Sequence, residues 1–272
     1  MTPADFIPLR ITDVQRGLTT RHLGRPLHLF DALASTSATA FTLARSGAGH
    51  GTAVLAESQT AGVGRQSRPW VSPPRRNLAC SVILSTPALL AHVSWIPLVT
   101  GLALIEAAHQ ASGLALSLKW PNDLLCADKK TGGVLCESAS HGARLPVCVM
   151  GFGINVNARL MDFPLPLRSL VTSLREETQR DHDRNALLAA VLNRLEYWYD
   201  LMESGPFDPI RQAYAASCGT LGRDVRVTCV NGQPVRGTAV DIDSDGALLV
   251  TTRQGNHPRT VAIRSADVDH LR

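Results

Sequence analysis

The stretch KWPNDLLCADKKTGGVLCE, Lys119 to Glu137, restricts the fold more than any other part of the chain, because two consecutive glycines sit inside what otherwise reads as a pair of strands. Leu124, Leu125 and Cys126 form one short apolar run and Gly133 to Cys136 the next, with Ala-Asp-Lys-Lys as the turn between them. A turn accounts for the lysines. It leaves the glycines without a reason, since Gly weakens a strand and usually marks a place where a ligand or another backbone comes close. A lysine beside such a gap points to an anion within it.

Around this stretch helices and strands are mixed without strict alternation, the pattern of an α+β domain rather than a doubly wound sheet. Ser35-Thr36-Ser37 ahead of ATAFTLARSGAG reads as a helix start with hydroxyl caps and a glycine stop, leading to a strand at Thr52–Glu57. Ser58–Asn77 is too rich in Gly, Pro and Arg for either element, and loops of that length in compact domains tend to be lids or binding loops. A buried strand follows at Leu78–Leu84, a long apolar helix at His92–Ser112, and strands at Leu114–Trp120 and Val147–Phe152, the last running into GFGINVN. From Asn185 to Ser204 the residues Leu188, Val191, Leu192, Leu195, Trp198 and Met202 recur at helical spacing and predict a core stripe. After Cys218, short alternating strands with Asn231-Gly232 and Asp245-Gly246 turns predict a small β-barrel that leans on the larger domain. The expected division is 1–217 and 218–272.

Composition removes several function classes. Hydrophobic residues make up 44% of the chain, yet no segment reaches the ~18 uninterrupted apolar residues of a membrane span, and the N-terminus lacks the order of a signal peptide. A cytoplasmic protein without a membrane partner is expected. The 6 cysteines fall at irregular spacings with no Cys-x-x-Cys, which predicts neither a zinc site nor a disulfide framework. A formal charge of +4, spread over separate arginines, is weak support for a nucleic-acid partner.

Taken singly, the polar motifs have bland readings. Gly62-Val63-Gly64 lacks the third glycine and the following helix of a dinucleotide loop, and no P-loop occurs; what remains is a loop whose amides and arginines, Arg65 and Arg68, can wrap an anion, or a solvated surface loop. Asn122 and Asp123 suit a turn, Asn155 and Asn157 a strand end, and Ser35-Thr36-Ser37 a helix cap. His50, His92 and His109 have no partner at metal or triad spacing.

In their order, however, Ser35-Thr36-Ser37, QTAGVGRQSRPW, KWPND, KKTGGVLCE and GFGINVN, followed by the small barrel, make the chain resemble the biotin protein ligases, or biotin–[acetyl-CoA-carboxylase] ligases, from about Leu33 to the C-terminus. It departs from the family's Gly-Arg-Gly-Arg-x-Gly-Arg-x-Trp loop at Val63, which stands for the first Arg, and at Ser67, which stands for the third Gly. Ser37 replaces the Asn of the family's Ser-Thr-Asn. Regulatory members carry a winged helix ahead of the Ser-Thr motif, and Ser35 stands too early for one. The monofunctional type, without DNA binding, is therefore the expectation.

The resemblance implies a mixed-sheet catalytic domain of the biotin/lipoate ligase type followed by an SH3-like β-barrel. It also implies a reaction in two steps: biotin and ATP give biotinyl-5′-AMP and pyrophosphate, and a lysine of a biotin carboxyl carrier protein or domain then takes the biotinyl group. Lys130 and Arg65 are the implied catalytic cations. Ser35, Thr36, Ser37, Gln59, Gly64, Arg65, Lys130, Gly132 and Gly133 are implied around biotin, and Gly62, Gly64, Arg65, Arg68, Trp70, Asn122, Asp123, Lys130 and Asn155 around the adenylate. ATP and Mg²⁺ are the implied cofactors, the metal riding on the pyrophosphate leaving group with no protein metal site; a homodimer is left open. A lipoate-protein ligase, with the same fold and adenylation chemistry, and a non-enzymatic nucleic-acid-binding module are the competing readings.

Overall fold

In the computed structural model, which describes residues 7–86, 92–139, 147–204, 206–229, 233–254 and 257–271, β1 (Leu27–Phe30), β2 (Ala53–Ala56), β3 (Leu78–Leu84), β4 (Ser117–Lys119), β5 (Asp123–Cys126), β6 (Lys129–Ala139) and β7 (Val147–Ile154) form one mixed sheet. Their order is β1-β2-β3-β7-β6-β5-β4, with β1 and β2 parallel and every other pair antiparallel. The helices are α1 (Ile11–Gly17), α2 (Thr36–Arg45), α3 (Ile96–Ser112), α4 (Leu174–Thr178), α5 (Arg184–Ser204) and α6 (Asp208–Ser217).

The unbroken apolar run of β3 follows from cover on both faces. Leu78, Cys80, Val82 and Leu84 belong to the large core with α3 and α5, while Ile83 packs with Ala40 of α2, Val54 and Val149. The stripe expected between Asn185 and Ser204 is the buried face of α5, and Gly113, at φ +78, ends α3 as a left-handed cap. Arg184, 1% exposed, donates to Glu57 at 2.6 Å, and Glu57 accepts the Leu9 N–H, which ties the N-terminal segment to the end of β2. Among the described residues no helix is long and apolar enough to cross a membrane.

The hairpin at Lys119–Glu137 differs from its expected form. Its turn is only Ala127-Asp128, at φ 47° and 64°, the two positive values that a two-residue hairpin turn requires. Lys129 and Lys130 therefore open β6 instead of lying in the turn. The register passes from Leu124↔Gly132 to Leu125↔Lys130, so Thr131 is the extra residue of a β-bulge, a device that re-aims neighbouring side chains. Backbone bonds from Lys130 N–H to Leu170 O (2.8 Å) and from Thr172 N–H to Lys130 O (2.9 Å) hold the bulged strand on its other edge.

The C-terminal unit is corrected as well. β8 (Asp224–Cys229), β9 (Val235–Ile242), β10 (Leu248–Gln254), β11 (His257–Ile263) and β12 (Ala266–His270) form an antiparallel sheet in the order β11-β10-β9-β8-β12, and it does not close into a barrel. β12 pairs along its length with β8, at the opposite edge from β11, and the residues just before and within its start are engaged by the larger domain. The Asp245-Gly246 turn is the anchoring point: the Trp95 indole donates to Ser244 O (2.7 Å) and the Trp120 indole to Gly246 O (3.0 Å). The expected Asn231-Gly232 turn lies outside the described residues.

Candidate active site

Three glycines on neighbouring strands make a floor. Gly151 and Gly153 lie on one face of β7, two residues apart, and Gly133 of β6 stands directly across from Gly153. A Cβ at Gly151 would fall 2.8 Å from Ser37 Oγ and 3.2 Å from Ser81 Oγ; one at Gly153 would fall 2.6 Å from the Trp70 ring. The floor thus runs from a hydroxyl cluster at one end to an indole at the other.

The hydroxyl end is built by the start of α2. Ser35 caps it, accepting from Ala38 N–H, and Thr36 and Ser37 both meet the Ser81 hydroxyl, at 2.9 and 3.0 Å. Gln59 Oε1 accepts from the Thr36 N–H (2.8 Å) and the Thr36 hydroxyl (3.1 Å). That leaves the Gln59 Nε2 amide as a donor with no protein partner among the described residues.

The cationic end is organised by KWPND. Lys130 Nζ lies 2.6 Å from Asp123 Oδ1 and 5.8 Å from the centre of the Trp70 ring. Asn122 donates to Val134 O (2.8 Å) and accepts from Arg65 Nη1 (3.3 Å), so the Asn-Asp pair read as a turn holds both cations. The arginines, which have no carboxylate near them in sequence, find one 199 residues on: Arg68 Nη2 is 2.7 Å from Asp267 Oδ1. Arg65 lies 4.0 Å from the same oxygen and donates to Ala266 O (3.0 Å) and Ser265 Oγ (3.3 Å). Burial lowers the Arg65 pKa from its ordinary value, against the opposing pull of Asp267.

The loop closes on itself through Trp70 N–H to Gly62 O and Gly64 N–H to Arg68 O, both 2.8 Å. At its tip Gln66 and Ser67 have φ of 55° and 56°. The family glycine replaced here by Ser67 is therefore missing at a left-handed position, where an L-residue is disfavoured by about 1–2 kcal/mol. Ser67→Gly should stabilise the closed loop by about 1 kcal/mol after the entropy of a new glycine is subtracted. Slower amide exchange at residues 64–70 would register it; unchanged or faster exchange would speak against the strain.

One cavity of about 440 Å³ brings together Ser35, Thr36, Ser37, Gln59, Gly64, Arg65, Arg68, Trp70, Asn122, Asp123, Lys130, Gly133 and Asn155. Gly62 and Gly132 are outside its lining. A Cβ on Gly62 would meet Trp70 O at 3.0 Å, and one on Gly132 would meet Gly153 O at 2.7 Å, so both serve close backbone packing. Asn155 lines the cavity but spends its amide inside the protein, accepting from Asn77 Nδ2 (3.1 Å) and donating to Thr172 O (3.0 Å). Ser81, Gly151, Gly153, Phe163, Leu167, Val171 and Asp267 also line it or pack on it, and sequence reasoning missed them. The two glycines inside the apolar β7 pattern were an available signal; Asp267 had none.

Residues 30–155 match the biotin/lipoate A/B protein ligase family and residues 220–271 the biotin protein ligase C-terminal domain. The chain is 35% identical over 259 residues to the bifunctional ligase/repressor BirA of Bacillus subtilis, covering 95% of this chain and 78% of that protein. It is 32% identical over 259 residues to the biotin–[acetyl-CoA-carboxylase] ligase of Mycobacterium tuberculosis, covering 91% and 90%. The solved biotin protein ligase from Aquifex aeolicus in complex with biotin and ATP matches the fold with a TM-score of 0.79 and 28% identity, over 93% of this chain and 100% of that one. Both matched regions fall on the two sheets that meet at the cavity. The chain belongs to the biotin protein ligase family.

Proposed function

We propose that this chain joins biotin to ATP as biotinyl-5′-AMP and passes the biotinyl group to a lysine of a biotin carboxyl carrier protein. The observation that carries the reading is a single cavity with a polar head site, a glycine floor and a fixed cation in sequence along it: Ser37, Ser81, Thr36 and Gln59 at one end, Gly151, Gly153 and Gly133 beneath, and Lys130 beyond. Biotin has matching parts, a ureido head that donates and accepts hydrogen bonds, an aliphatic chain and a carboxylate. A dithiolane head has no oxygen to accept from the unpartnered Gln59 Nε2 amide, whereas a ureido oxygen does, which favours biotin over lipoate.

In the first step a carboxylate oxygen attacks the α-phosphorus of ATP and the bond to pyrophosphate breaks. Two like charges at ~4 Å repel by about 4 kcal/mol at an effective dielectric near 20, and Lys130 Nζ, oriented by Asp123, offsets that repulsion. Arg65 and Arg68 supply guanidiniums for the phosphate, with Gly64 and Trp70 shaping the loop around the adenylate. In the second step the amine of the carrier lysine attacks the acyl carbon and AMP leaves. A loop that closes over the mixed anhydride protects it from water until then.

Among the described residues no three His, Cys, Asp or Glu side chains gather as a metal site, and the Asp123 and Asp267 carboxylates are already paired with cations. A protein cage for Mg²⁺ does not fit this cavity; the ion is expected to arrive with the triphosphate. We assign the reaction to the cytoplasm, where ATP is supplied.

The test is ATP–pyrophosphate exchange by the purified chain with biotin or lipoate as the acid, followed by transfer of labelled acid to a biotin carboxyl carrier domain. Exchange with biotin alone and labelling of the carrier lysine are the expected results. Exchange with lipoate in preference to biotin, or none with either, would overturn the reading.

A further inference from the structure

The loop Gly62–Trp70 sends no apolar side chain fully into the core: Val63, Gln66, Ser67, Arg68 and Pro69 are exposed, and Arg65 and Trp70 are half-buried. Its position therefore rests on polar anchors and on the Trp70 ring against Gly153. Apart from the loop's own backbone bonds and the Asn122 contact to Arg65, those anchors come from three consecutive residues of the C-terminal unit, Ser265 just before β12 and Ala266 and Asp267 at its start. Asp267 contributes the charge. Its carboxylate reaches both arginines, and Arg68 in turn donates to Arg65 O, so the carboxylate, Arg68 and the Arg65 backbone form one connected bracket across the loop tip. β12 is a firm base for it, paired residue by residue with β8, Asp267 opposite Thr228.

We propose that Asp267 is a positioning residue that holds the ligand loop closed, so that the C-terminal sheet governs how long the activated intermediate is retained. It acts through Arg65 and Arg68 and contributes no contact to the reacting atoms. The opposite role is also physically open to a carboxylate on these arginines: it would be a placeholder that the incoming phosphate must displace. The two roles predict opposite results on neutralisation. A bracket that is lost opens the loop, whereas a placeholder that is lost strengthens phosphate binding.

The experiment compares wild type, Asp267→Asn and Asp267→Glu in the full chain by two readouts. The first uses no ligand and does not depend on the biotin ligase reading: the rate of tryptic cleavage after Arg65, Arg68 being protected by the Pro69 that follows it. Cleavage follows the population of the open loop. Asp267→Asn should cleave there about two- to fivefold faster, the scale of one partly exposed charge pair, with other tryptic sites unchanged and Asp267→Glu restored to the wild-type rate. The second readout, which rests on the proposed function, is biotinylation of a bystander protein with no carrier domain present, and it should rise in Asp267→Asn by a similar factor. Unchanged cleavage after Arg65 would overturn the proposal. So would faster cleavage at every site, which marks a general structural role, or slower cleavage with tighter ATP binding, which marks a placeholder. If wild type makes no adenylate, the biotin reading fails, while the proteolysis still decides the bracket.

Discussion

Lys130→Ala is expected to lower biotin-dependent ATP–pyrophosphate exchange by about 10²- to 10³-fold, the range seen when one preorganised electrostatic stabiliser is removed, while the variant melts with the wild type. The contrast follows from what the side chain touches. Its ion pair is with Asp123 at 2.6 Å, in a pair whose side chains are 36% and 24% exposed, so water can solvate the carboxylate left behind and the folding cost is small. The main-chain bonds of Lys130 to Leu170 and Thr172 survive truncation at Cβ. What disappears is a charge held at the end of the glycine floor, where the proposed reaction would bring the carboxylate and the α-phosphate together. Lys130→Arg should recover only part of the rate, because a planar fork cannot occupy the place of a compact ammonium against Asp123. Exchange within about threefold of wild type in the alanine variant would take Lys130 out of the chemistry, since that is far below the loss expected for such a group.

Local pattern was legible where a physical cause acts within a few residues. The stripe through Leu188, Val191, Leu195 and Met202 follows from helical periodicity, and the continuous burial of Leu78–Leu84 from an apolar run of strand length. A lysine beside strand glycines was read as the edge of an anion site, and Lys130 and Gly133 do line one cavity, although the bulge at Thr131, which puts Lys130 in β6 instead of the turn, depends on register with β5 and on the segment around Val171. The hydroxyl cluster was half legible. Ser35-Thr36-Ser37 looked like a cap, and Ser35 is one, but Ser81 inside a buried strand gave no sign that it closes the network. Asp267 was beyond reach, because the arginine loop and its carboxylate are joined only when the C-terminal sheet docks, 199 residues later in the chain. The barrel expectation failed for a related reason: alternating strands predict a sheet with two faces, but whether its edges meet is decided by what else the edge strands bind.

Gly133→Val should fold and lose biotin affinity by about 10²-fold, while Gly132→Ala, the smaller change one residue earlier, should lose stability by about 1–3 kcal/mol and keep its affinity when folded. The two glycines look alike in the sequence but differ in what a side chain there would meet. A Cβ at Gly132 would sit 2.7 Å from the carbonyl oxygen of Gly153, a backbone atom held in the β6–β7 ladder, which cannot move aside without breaking the pairing. A Cβ at Gly133 would have its nearest neighbours at 3.4 Å (Asp123 Oδ1), 3.5 Å (Lys130 Cε) and 3.6 Å (Asn122 O), contacts that the fold tolerates. The two further methyl groups of valine then have to enter the cavity beside the Lys130–Asp123 pair, over the floor on which the aliphatic chain of biotin would lie. Titration calorimetry with biotin and a urea melt on each variant separate the cases. Wild-type affinity in a folded Gly133→Val would return that glycine to strand geometry, and a wild-type melt for Gly132→Ala would mean that β7 yields where its ladder should hold it; either result would remove the division of labour between the two residues with which the chain first announced its site.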